Sequence, residues 1–100
     1  MLRVDYILKV KSRIGNKMDP VLLIERLGDQ LRSMRQQRGM TLIELAERAG
    51  ITRQKLAEME KGKPTVSMFF YAKVIAAMTS EVKIVPARKP TFEELREVFQ

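Results

Sequence analysis

The chain contains neither cysteine nor histidine. Their absence excludes disulfides, thiolate nucleophiles, imidazole bases and the usual zinc ligand sets. Catalysis would have to rest on carboxylates, lysines or hydroxyls, and these form no convergent cluster, so no enzyme, cofactor or metal site is expected. No apolar run reaches the length of a membrane span, and the N-terminus lacks the apolar core of a secretion signal. The expectation is a cytoplasmic protein without a membrane partner. Internal repeats and low-complexity segments are also missing.

One hundred residues suffice for one domain with short arms. A chain this short buries a modest core and gains from a second subunit. Lys and Arg number 19 against 12 Asp and Glu, a net charge of +7 that suits a polyanion. The excess is uneven. Residues 1–17 hold five basic groups and one acid, residues 18–64 nine and seven, and residues 65–100 five and four. With the middle so nearly balanced, particular positions must carry any affinity there.

Residues 2–11 alternate apolar and polar side chains except at Ile7, the period of a half-buried strand. Gly15-Asn16 signals a turn, and Asp19-Pro20 opens a helix that Gly39 stops. Leu23, Leu27, Leu31 and Met34 mark its inner face. Met18 is a second candidate start of translation. Thr41 to Glu44 is a capping box that starts a short helix ending at Gly50. Thr52 caps the next, Arg53 to about Lys61, with Leu56 and Met59 inward. Ser67 is expected to cap a fourth, whose inner face is Met68, Tyr71, Ala72, Ile75 and Met78. The segment 81–85 alternates again and stops at Pro86, which predicts a short strand. Thr91 to Glu94 is a second capping box, opening a helix with Phe92, Leu95 and Phe99 on one side. Methionines such as Met34, Met59, Met68 and Met78 read as core filler.

The most informative block lies between the second and third helices. Ala46 is small where two helices must cross closely, Gly50 suits a left-handed turn, and Ile51 plugs the corner. This is the recipe of a helix-turn-helix, whose second helix, the recognition helix, enters the DNA major groove.

The same residues resemble a known family, the XRE or Cro/cI-type helix-turn-helix regulators. The likeness runs from Leu27–Arg35 through Arg38–Leu42, Glu44–Gly50, Ile51–Leu56 and Glu60–Lys63 to the helix Met68–Met78, in order and with family spacing. It implies a mainly α fold: a five-helix lambda-repressor-like bundle with a short C-terminal strand, and a further one if residues 2–11 pair. The domain would span residues 18–79, between a basic arm or strand (1–17) and a C-terminal strand and helix (80–100).

The resemblance also implies roles. Thr52, Arg53, Gln54 and Glu58 would face the groove, with Arg53 suited to guanine and Gln54 to adenine. Lys55 would read a base or hold a phosphate, and Lys61 and Lys63 would clamp phosphates. Outside such a motif these residues would be a solvated helix face. Leu42 stands where the family usually has Gln, which leaves the Thr41 hydroxyl and the helix N-terminal amides to bind phosphate. Arg35 and Glu60 occupy positions that form a buried ion pair in related proteins.

The strand 82–85 resembles that of HipB-like antitoxins, in which it pairs with its copy in a second subunit. Alternatively it pairs with residues 2–11, or two chains build one four-stranded sheet. Val82, Ile84 and Val85 are the expected dimer contacts. The function implied is a homodimeric operator-binding regulator, expected to be a repressor, on double-stranded DNA. Two alternatives stand beside it: an antitoxin whose arm, Lys89 to Gln100, docks a toxin, and a protein–protein module without DNA binding.

Overall fold

The computed structural model describes residues 18–89 and 91–98. Among them five helices occur: α1 (Pro20–Gln37), α2 (Leu42–Ala49), α3 (Arg53–Glu60), α4 (Met68–Ala77) and α5 (Phe92–Val98). The chain divides into two units, Ile24–Ile84 and the residues flanking it.

In the flanking unit, the Asp19 carboxylate accepts hydrogen bonds from the Val21 and Leu22 amides at 2.8 and 3.3 Å and so caps α1. Leu22 is fully buried and Leu23 exposed, which corrects the face expected from Leu23. Four consecutive apolar residues, 21–24, are compatible with either rotation of the helix, and periodicity alone does not choose. Further along, Glu94 accepts from the Thr91 amide at 2.9 Å and returns its own amide to the Thr91 hydroxyl at 3.2 Å. Arg88 forks onto the same carboxylate at 2.8 and 3.2 Å. Phe92 is exposed.

In the Ile24–Ile84 unit, α2 packs on both α3 and α4. The core is built from Leu31, Met40, Leu45, Ala46, Leu56, Met59, Tyr71, Val74, Ile75 and Met78, flanked by half-buried Leu27, Met34, Leu42, Ala49, Ile51 and Phe70. Tyr71 is buried with its hydroxyl unpartnered among the described residues, and burial raises the phenol's pKa. The inner face of α4 differs from the expected one. Met68 and Ala72 are exposed, and Val74 takes their place inside. Almost every residue of this helix is apolar, so its composition does not single out a face. Ser67 occupies the N-cap position without a capping hydrogen bond from its side chain.

Helix ends follow one rule. Gly50 sits at φ 72° and donates to the Glu47 carbonyl at 3.2 Å, while the Ile51 amide reaches back to Ala46 at 3.0 Å. This Schellman closure needs a left-handed residue, which glycine adopts without steric cost. The same pair of bonds closes α1 at Gly39 and α3 at Gly62. It also closes α4, where the left-handed residue is Thr79, at φ 52°. There Arg38 donates to the Met78 carbonyl and to the Ser80 hydroxyl, tying the end of α1 to the end of α4.

No strand occurs among the described residues. Residues 81–89 are irregular and exposed, including the expected strand 82–85. Among the described residues they have no ladder partner, and a lone strand leaves its backbone groups to water. The other expected strand, residues 2–11, lies outside the described residues, as does the basic arm 1–17.

Candidate nucleic-acid interface

The turn between α2 and α3 fixes the direction of α3. Gly50 reverses the chain, Ile51 packs half-buried against the core, and Thr52 caps α3 by accepting from the Lys55 amide at 3.0 Å. At the far end, Arg35 and Glu60 meet through two hydrogen bonds of 2.8 and 3.0 Å, with Arg35 also donating to the Met40 carbonyl at 2.9 Å. Both residues are buried, and the Glu60 bond raises the Arg35 pKa, so the guanidinium stays charged. Leu56 and Met59 anchor the inner side of α3 with no exposure. Helix α3 is therefore held by its turn, its inner face and its C-terminal end.

Between these anchors, Thr52, Arg53 and Gln54 stand together, exposed, at the N-terminal end of α3. No acidic residue lies in that first turn, so the positive end of the helix dipole adds to the Arg53 charge. Glu58, one turn further, is half-buried. Lys55 is half-buried as well. Its ammonium lies 5.1 Å from the centre of the Phe70 ring on α4.

Lys61 and Lys63 are exposed on either side of Gly62. Lys61 shares an open cleft of about 210 Å³ with Arg32, Arg35, Leu42, Ala57 and Glu60. Leu42 begins α2, so this cleft borders the N-terminus of that helix. Thr41 caps α2 in a closed box: its hydroxyl accepts from the Glu44 amide at 3.1 Å, and its amide donates to the Glu44 carboxylate at 3.0 Å. These bonds, the amide foremost, hold the Glu44 pKa below the usual carboxylate range. The Thr41 amide is thus engaged, which leaves the amides of Leu42 and Ile43 at the helix start for an outside acceptor.

Val82, Ile84 and Val85 are exposed, Ile84 at 94 %. Sequence patterns did not single out Arg32, Phe70 or Lys73. Arg32 enters through the shared cleft and Phe70 through the Lys55 ammonium of the neighbouring helix, whereas Lys73 meets Phe69 and Phe70 within α4, four and three residues after them. No group of acidic residues suited to a metal ion occurs among the described residues, and no helix there is long and apolar enough to cross a membrane.

Residues 26–78, from within α1 to just beyond α4, match a family model described as a helix-turn-helix domain. The comparison with curated proteins gave no match.

Proposed function

The chain belongs to the helix-turn-helix family of DNA-binding domains, and on that premise we propose that it is a sequence-specific transcriptional repressor of the XRE type, acting as a homodimer on double-stranded DNA. One observation carries the sequence-specific part. The exposed N-terminal turn of α3 presents Thr52, Arg53 and Gln54 together, free of acidic residues, on a helix anchored at its other contacts. A rigid helix with a forked guanidinium and a side-chain amide at its tip suits base edges in a major groove.

In this reading Arg53 and Gln54 contact bases, with Thr52 and Glu58 beside them. Thr41, Lys61 and Lys63 hold phosphates, and Lys55, drawn to Phe70, does the same. Residues 18–79 form the DNA-binding domain. Residues 80–100 pair two chains, a role supported by the exposure of Val82, Ile84 and Val85. Two recognition helices about one DNA turn apart (34–36 Å) read more sequence than one.

A second reading, an antitoxin that also represses its own operon, is favoured by α5. Its start is locked by the Thr91–Glu94 box and the Arg88 fork, and it offers an exposed Phe92. A preformed helix with an outward aromatic suits a protein partner.

Fluorescence anisotropy on duplexes from the region upstream of the chain's own coding sequence tests the reading. Arg53→Ala is expected to cost about 1–3 kcal/mol on the specific duplex and little on a scrambled one, whereas Lys63→Ala weakens both alike. Equal losses for Arg53→Ala on the two duplexes would remove its base-reading role. Truncation after Ser80, which keeps the Arg38 contacts, is expected to give a monomer in sedimentation. A dimer that persists moves the interface elsewhere.

A further inference from the structure

We infer that the DNA-facing surface continues from α3 onto α4, with Lys73 as a phosphate contact held in position by Phe69 and Phe70. The inference rests on the DNA-binding reading and extends it to residues outside the motif.

Lys73 is the one charged residue of α4. Its ammonium lies 4.9 Å from the centre of the Phe69 ring and 5.9 Å from that of Phe70. The Phe70 ring also takes the Lys55 ammonium of α3, at 5.1 Å. Two ammonium groups from different helices therefore gather around one ring, on one continuous surface. Neither lysine is in an ion pair among the described residues.

This choice of partner matters. A carboxylate would neutralise each lysine, whereas a ring face attracts the ammonium and leaves its charge intact. The ring also limits the side chain's freedom, so less rotamer entropy remains to be lost when a phosphate is gripped. A lysine serving solubility alone would extend into water. Instead Lys73 lies over Phe69, which is 67 % exposed. Charge retained and motion restricted suit a polyanion.

Duplex DNA fits better than an acidic peptide because of Lys55. It follows Arg53 and Gln54 in the first turn of α3, the residues assigned to the groove. A second ammonium sharing its ring then meets the phosphates that wall the groove, and such contacts position the protein without reading sequence.

The test is a salt titration by anisotropy, from about 50 to 200 mM, using a labelled upstream duplex and a scrambled duplex of equal length. Lys73→Gln, with its fold checked by circular dichroism, is expected to reduce the slope of log K against log salt by about 0.9 on both duplexes. Lys73→Arg restores the slope. Phe69→Ala lowers affinity on both duplexes and leaves the slope unchanged, because the charge remains. Binding by the unaltered chain with an unchanged slope in Lys73→Gln overturns this inference alone. So does a loss confined to the upstream duplex, which would make Lys73 a base reader. Absence of binding by the unaltered chain to either duplex defeats the DNA-binding reading and this inference with it.

Discussion

Arg35 and Glu60 join across 25 positions of sequence through a two-pronged contact of 2.8 and 3.0 Å that is nearly closed to water. Removing one partner strands the other's charge in the interior. Glu60→Ala is expected to destabilise the fold by roughly 3–5 kcal/mol, a large share of what a small domain possesses. Thermal melting followed by circular dichroism measures it. An unchanged melting temperature would show that the pair contributes nothing to stability.

Gly28 governs how closely α1 approaches the end of α3. A Cβ placed there would lie 2.5 Å from the Met59 carbonyl oxygen and 2.9 Å from that of Glu60. Both are backbone atoms, so relief requires the helices to part. Alanine would otherwise favour a helix by about 1 kcal/mol. Gly28→Ala is nonetheless expected to lose about 1–3 kcal/mol in denaturant unfolding. A gain in stability would mean that α1 and α3 separate without cost.

Thr79 does the work of a glycine at the end of α4. A β-branched residue in left-handed backbone carries a steric penalty of about 1–2 kcal/mol. Thr79→Gly should recover about 1 kcal/mol, the remainder being lost to the unfolded chain's greater freedom. Equilibrium unfolding decides it, and a destabilised variant would show that the Thr79 side chain contributes more than its conformation costs.

Acid should loosen the start of α2. The folded Glu44 carboxyl titrates below its unfolded value, so its contribution is present above about pH 4.3 and is lost as pH falls through the folded pKa. Glu44→Gln keeps a capping box without a titrating group. Between about pH 6 and pH 3, the melting temperature of the unaltered chain is expected to fall more steeply than that of the variant. Parallel declines would exclude a pH-dependent role for this box.

Local chemistry was legible in the residues themselves, and contact between elements was not, apart from the Arg35–Glu60 pair that the family resemblance implied. Thr41 with Glu44, Thr52, Gly50 and Ile51 announce caps and a turn, because each acts on its own neighbours. The rotations of α1 at Leu22 and of α4 at Val74 were hidden because nearly all of their neighbours are apolar. The role of Gly28 was not legible, since its reason lies some thirty residues away in the backbone of α3. Lys55 suited either a base or a phosphate, and its contact with Phe70 of another helix was not visible in local spacing. Residues 82–85 have the alternation of a strand but no ladder partner among the described residues.

The buried Tyr71 phenol makes the chain an optical instrument for its own integrity. There is no tryptophan, and the two tyrosines are Tyr6 and Tyr71. With Tyr6 replaced by Phe, near-ultraviolet absorbance comes from Tyr71 alone among the stronger chromophores. Its folded pKa is raised, so alkali above about pH 10 favours the unfolded chain, in which the phenol ionises freely. The phenolate band then grows as the interior opens, and the lag between raising the pH and its growth clocks that opening without any added dye.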